Sequence, residues 1–527
     1  MARKRRDVWK LGPGWNDTLL WYARGVKALG ERDITDRTSW RYLAAMHGFH
    51  PSLWQYFKYL ASDEAYPDSS KDKVLNQCQH GSWYFLPWHR SYLQAFEAII
   101  LAAIVKLGGP ADWALPYWNY HDTTNADRLK LPTAFDDATW PDGGDNPLKV
   151  KQRYGPDGDG TVVLDPDQML LRESLQADRF AGVRGGSQGF GGLQTPFSHR
   201  AEVVSGLLEE SPHNNVHSMI GGFIRGEDDQ NPRMNGLMSM PETAALDPIF
   251  WIHHANIDRL WEVWLRRRAS PGKPAHANPN TDDAWMQGPA DRTFAMPRPD
   301  GTVAKVKAAD IESLTKTDYV YEDVSDPLSG GTRFARRLKE LGMQPSASGG
   351  AAAGQTGGAT MAQDPQVELV GASDGAVRIE GTSIEAAVKM DAAAGRRMSG
   401  SFQAGLAPGG VAQEPDRVFL NLENIRGRND AALFDVFVAL PKGADPQAHL
   451  DHRVGTVGLF GVSGASGLYG GSGNGLTKVL EITDVVDRLQ LRGQDLNSLD
   501  VRFVPRRELL PQDDISIGRI SVYRQGP

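Results

Sequence analysis

Residues 247–261 read DPIFWIHHANIDRLW. From Phe250 onward, His254, Ile257, Trp261 and Trp264 follow at alternating four- and three-residue steps, the spacing of a helix that buries one face. His254 lies on that stripe, whereas His253 sits about a quarter turn away and reads as a packing or supporting residue. An imidazole turned into a core needs a partner, and histidines upstream supply one. In PHNNVH, residues 212–217, a proline suited to a helix's first turn precedes His213 and His217. At i and i+4 these two share a helix face and can grip one ion. In HGSWYFLPWHR, residues 80–90, Pro87 opens a helix carrying His89, Leu93, Phe96 and Glu97. That turns His89 inward and leaves Glu97 on the same face as an orienting carboxylate. His80 would reach the same ion from a loop, and His47 in SWRYLAAMHG completes the first set.

Any one of these histidines alone, His47 included, would read as an ordinary core or surface side chain. Jointly they supply three imidazoles per metal, twice. Neutral imidazole serves zinc, copper, iron and nickel. Zinc usually takes four ligands, and catalytic zinc often recruits a carboxylate. Six histidines with no matching Asp, Glu or Cys set favour two copper ions. Asp258, four residues after His254, reads as a supporting acceptor for an imidazole N–H.

In their order along the chain these three motifs resemble the copper signatures of the tyrosinase, catechol oxidase and molluscan haemocyanin family, the type-3 copper proteins. The resemblance runs from about Trp9 to Tyr321, where YVYEDV looks like the tyrosine pair closing the family's catalytic domain. It implies that His47, His80 and His89 hold the first copper, and His213, His217 and His254 the second. It implies that Glu209 and Asn214 orient a water for proton transfer, and that Cys78, two residues before His80, forms a thioether to that histidine. It places a gate within GLMSMPE, where Met240 or Met238 either narrows the entrance or is simply a core methionine.

All 14 tryptophans lie between Trp9 and Trp285, and a Gly/Ala/Ser-rich stretch without hydrophobic periodicity follows at 344–363. A chain of 527 residues exceeds what a single core usually fills. The expected organisation is α + β. Residues 1–343 form a mainly helical dicopper domain with a four-helix-bundle core, 344–364 a linker, and 365–527 a β-rich domain. The last shows runs such as RVFLNLENI and ISIGRISVY between Gly, Asp and Pro, the pattern of a β-sandwich. It also resembles the C-terminal domain of plant polyphenol oxidases and haemocyanin units, which can cover the copper site. Phe460 and Tyr469, in a glycine-rich segment, are the candidate plugs.

The single cysteine and the lack of an apolar leader after MARKRRDVWK lead to the expectation of a reducing cytoplasm and no membrane. A net charge of −8 with only scattered basic runs argues against nucleic acid. GPDGDGTVVLDPD lacks the turn glycine of a calcium loop, and GGSGNG lacks the lysine of a phosphate loop. The expected partners are phenols and O2, with a homo-oligomer left open. The activity implied is ortho-hydroxylation of monophenols and oxidation of o-diphenols. A catechol or o-aminophenol oxidase and a reversible O2 carrier are the alternatives.

Overall fold

A computed structural model describes residues 2–12, 14–69, 71–196, 203–228, 231–267, 276–279, 283–288, 293–328, 333–342, 365–406, 415–470, 473–494 and 496–526. The expected linker falls outside them. Asn16 caps α1 (Asp17–Gly30) by accepting from the Leu19 N–H, and Ser39 caps α2 (Trp40–His47) by accepting from Tyr42. α3 (Pro51–Tyr56) is short, α4 (Phe85–Lys106) is buried along most of its length, and α5 (Arg172–Leu175) is a single turn. α6 (Asn215–Gly221) and α7 (Ile249–Arg266) follow, α7 buried from Ile249 to Trp264. Helices buried this completely form the centre of a domain, and four of them, α2, α4, α6 and α7, carry or adjoin the singled-out histidines. α1 packs closely on α4 because Gly25 has no side chain; a Cβ there would lie 2.5 Å from Ile100 Cγ1. Phe96 of α4 stacks on Trp251 of α7 with ring centroids 3.6 Å apart.

A buried ion network ties α4 and α7 together. Arg90 donates to Asp258 at 2.6 Å and to Glu262 at 2.9 Å, and the hydroxyls of Tyr319 and Tyr321 donate to the other Asp258 oxygen at 2.7 and 2.6 Å. Burial pushes the Asp258 carboxyl up, but Arg90, Arg5 and the two tyrosines outweigh it and hold it below its ordinary value. Glu97 accepts from Arg3 at 3.1 Å and Arg5 at 2.7 Å, both on the strand Arg3–Arg5 that pairs in parallel with Tyr319–Tyr321. These partners correct two expectations, since neither Glu97 nor Asp258 holds an imidazole. His89 and Glu97 share a face, but eight residues separate them by about 12 Å along the axis. Asp258 is saturated by Arg90 and the tyrosine pair.

The C-terminal domain has its own core, with Val388, Leu420, Phe434, Val501 and Ile520 all buried in it. Its strands form one sheet in the order Arg453–Gly458, Leu433–Val438, Ser498–Pro505, Ile384–Met390, Val367–Ala372, Ile515–Gln525, Arg417–Arg426, Leu476–Glu481. The sheet curls until Arg453–Gly458 approaches Leu476–Glu481, so the layers expected of a sandwich belong to one barrel-like sheet. The run KVLEITDVV is strand only as far as Glu481 and turns helical from Thr483. Beyond Leu476–Glu481 the sheet gains one more strand from the helical domain, Val203–Val204, paired in parallel. Arg337 adds a buried pair to Asp487 at 2.7 Å.

Asp258→Asn keeps the side chain's size but leaves Arg90 short of its counter-charge inside the core. Urea unfolding is expected to show a loss of about 3–5 kcal/mol, against about 1 kcal/mol for Tyr319→Phe. Equal small losses for the two variants would contradict the network.

Candidate metal centre

The first histidine set gathers from three elements. His47 ends α2, His89 lies in the first turns of α4, and His80 stands on the preceding loop beside Cys78; the donor atoms of all four lie within 4.8 Å of one another. The ring of His47 donates from Nδ1 to the Pro241 carbonyl at 2.8 Å, and that of His89 to the Phe85 carbonyl at 2.8 Å. Gly48 lets the Pro241 segment come this near, since a Cβ there would lie 2.5 Å from the same Pro241 oxygen.

The second set rests on a break in the chain. Ser211 is extended (φ −141°, ψ 123°), helical geometry resumes at Pro212, and His213 and His217 face one side of the run that continues into α6. His213 donates from Nδ1 to Asn214 Oδ1 at 2.9 Å, and His217 from Nδ1 to the Met238 carbonyl at 2.8 Å. α7 contributes both of its histidines, whose donors lie within 4.8 Å of those of His213 and His217. His253, expected outside this group, is inside it by distance, though its Nδ1 is engaged with the Tyr120 hydroxyl at 3.1 Å. His254 stacks on His89 with centroids 4.5 Å apart, so the two sets abut.

Four rings thus give their Nδ1 hydrogens to oxygen acceptors, which leaves Nε2 as the lone-pair nitrogen. Among the described residues Nε2 of His213 is buried with no partner, and Nε2 of His217 faces Nε2 of His254 at 3.2 Å. Converging, desolvated imidazole nitrogens without carboxylates are a donor set that copper ions fit. Burial, as the largest cause, holds His89 and His217 down at about 3 and keeps His213, His253 and His254 well below the ordinary 6.5. These five rings are neutral without any metal to displace their protons.

Cys78 Sγ lies 3.5 Å from Nδ1 and 3.6 Å from Nε2 of His80, and 3.4 Å from Nε2 of His89. Burial pushes its thiol up. Glu209 accepts the Gly81 N–H at 2.8 Å, and burial raises its carboxyl to about 8. Asn214 makes no direct bond to Glu209; its amide nitrogen donates to Ser205 Oγ at 3.2 Å and Glu210 Oε2 at 3.3 Å. Around Met240, the stretch expected to gate the entrance instead supplies the carbonyls of Met238 and Pro241 that orient one histidine of each set, and the Met238 and Met240 side chains are core.

Of the two candidate plugs, Phe460 reaches the site. Its ring lies 4.3 Å from His217, 5.4 Å from His80 and 5.7 Å from His213, centroid to centroid. Tyr469 packs on His50 at 5.2 Å. Sequence reasoning missed the aromatic walls: Phe250 lies 4.1 Å from His254 and Phe85 4.7 Å from His213. Their one sequence signal is the four-residue step to His254 and to His89.

Comparison with known proteins agrees with this geometry. The family model described as the common central domain of tyrosinase matches residues 37–267. Tyrosinase HcTyr1 of Hahella sp. (strain CCB-MM4) is 31% identical over 540 residues, covering 99% of each chain. This chain belongs to the tyrosinase family. The family's centre is a type-3 pair of coppers, and the two histidine groups fit two copper ions. A chloroplastic polyphenol oxidase of Vitis vinifera is 31% identical over 255 residues, 47% of this chain and 38% of its own length. The solved structure of latent apple tyrosinase has the same fold, with a TM-score of 0.57 and 21% identity over 99% of this chain and 97% of its own. A model of a domain of unknown function matches residues 366–525.

Because His89, His213, His217 and His254 are already neutral, copper(I) titrated in one pH unit below the ordinary histidine value of 6.5 is expected to bind twice per chain without drawing protons from these four rings. Calorimetry in two buffers of different ionisation enthalpy measures this. Release of more than the two protons that His47 and His80 could supply would mean that these four rings start out charged.

Proposed function

We propose that this protein is a latent tyrosinase, which hydroxylates monophenols and oxidises o-diphenols to o-quinones once Phe460 leaves the dicopper site. Family membership supports the coarser statement, a copper oxidase acting on phenols. The observation that carries the latency is Phe460, a ring from the C-terminal domain lying over His217 where a phenol ring would stack; the buried Glu209 beside His80 supports the hydroxylation.

The coppers, when bound, supply the electrons that activate O2 and the positive charge that attracts a phenolate. His47, His80 and His89 would hold one, and His213, His217 and His254 the other. His253, tethered by Tyr120, would back the second set. A phenol with a pKa of about 10 is scarcely ionised at neutral pH, so a base must take its proton. Glu209 is suited to receive it, because Oε1 is fixed by the Gly81 N–H beside His80 while Oε2 is buried with no partner among the described residues to compete for the proton. Copper charge acts against the burial that raises this carboxyl. Asn214 holds the His213 ring in the tautomer that presents Nε2. Phe85 and Phe250 exclude water from the rings they touch.

Cys78 Sγ is nearly equidistant from the two ring nitrogens of His80, close enough for a thioether to the carbon between them. We assign it that bond, formed by loss of the thiol and ring hydrogens with two electrons passed to O2. Copper-loaded, aerated protein should then be two hydrogens lighter than copper-free protein by intact mass spectrometry, and Cys78→Ser should abolish the difference. An unchanged mass after turnover excludes the crosslink.

Oxygen uptake with a monophenol and a catechol, before and after protease cleavage within 344–363, tests the function. Both substrates should turn over faster after cleavage, and Phe460→Ala in the intact chain should raise the rate by about tenfold or more, the fraction a closed state withholds. Catechol turnover alone would make the protein a diphenol oxidase. No turnover of either, with reversible O2 binding retained, would make it a carrier.

A further inference from the structure

The C-terminal domain touches the second histidine set in another way. Its strand Leu476–Glu481 extends the sheet onto Val203–Val204, with Leu476 opposite Val203 and Thr477 opposite Val204. From the next position Lys478, almost fully buried, donates to Glu210 Oε2 at 2.7 Å. That same carboxylate oxygen accepts the Asn214 amide N–H at 3.3 Å, and Ser205 Oγ, directly after the paired strand, accepts from it at 3.2 Å. Asn214 Oδ1 in turn takes the Nδ1 hydrogen of His213.

The chemistry of this chain of contacts runs one way. An asparagine amide can present either its oxygen or its nitrogen to a neighbour. Beside a carboxylate only the nitrogen is favoured, so Glu210 fixes the amide with its oxygen toward His213. That oxygen can only accept, so it places the imidazole hydrogen on Nδ1 and bares Nε2. A buried carboxylate needs a counter-charge to remain there, and Lys478 is the cation that contacts it. We infer that Lys478 and Glu210 are positioning residues for the second copper: the covering domain, besides closing the site with Phe460, sets the tautomer and orientation of His213 through Glu210 and Asn214. This rests on His213 being a copper ligand.

Its consequence is that displacing the covering domain loosens the second copper as it opens the site. The test uses the full chain loaded with copper, with the rate of copper release to a chelator as readout. In Lys478→Met, one of the two coppers should leave about 10–100-fold faster, the usual effect of losing a contact that orients a metal ligand. Lys478→Arg keeps the charge and should restore slow release. If Lys478→Met fails to fold, the double variant Lys478→Met with Glu210→Met removes both charges, an exchange usually tolerated by a fold. It should melt like the parent yet still release one copper early. Release of both coppers at the parental rate from either variant overturns the inference. His213→Ala separates the two levels. It should hold a single copper, and if it still holds two, the ligand assignment fails and not merely the positioning of His213.

Discussion

Everything in this fold depends on keeping a group of imidazoles dry, neutral and aimed. Histidine in water is charged or half-charged near neutrality, and a buried cluster of cations would drive the helices apart. The structure meets this by burying the rings among Phe85, Phe250 and Trp88 and by giving their Nδ1 hydrogens to oxygen acceptors. Three of those acceptors are backbone carbonyls, of Phe85, Met238 and Pro241, and so cannot swing away. The segment 237–242 therefore matters as backbone more than as side chains, and Gly48 is small so that it can approach.

The helices can be so crowded with aromatic rings because charge is gathered one layer further out. Arg90 and Asp258 each stand close in sequence to a histidine, His89 and His254, and pair with one another across α4 and α7. The N-terminal strand and the Tyr319–Tyr321 strand close this network from outside. A shift of either helix would have to break a buried ion pair, which fixes the distance between the two histidine sets.

Much of this is legible in sequence because the histidines fall on apolar stripes of regular period, which report both helix and burial. What periodicity cannot report is distance or a partner from elsewhere in the chain. Glu97 and Asp258 read as imidazole partners because the helical face is right, while their true partners, Arg3, Arg5 and Arg90, carry no local signal. His253 reaches the second set although its angle on the helix points aside, since rings of the neighbouring helices crowd that side too. In the C-terminal domain, strands rich in Val, Ile and Phe are visible. Ile384–Met390 and Arg453–Gly458, diluted by Ala, Lys and Gly, do not stand out. Phe460 is recognisable only as one candidate among glycines, because the residue that enters the site is chosen by how the domains dock. Lys478 and Glu210, 268 residues apart, meet for the same reason.

Diffraction from crystals of the copper-loaded full chain, with anomalous differences collected at the copper edge, bears most directly on the centre as a whole. Two peaks should appear, one ligated by His47, His80 and His89 and the other by Nε2 of His213, His217 and His254, with the Phe460 ring over the second. A single peak, or a second copper held through His253 in place of His254, would contradict this arrangement of ligands.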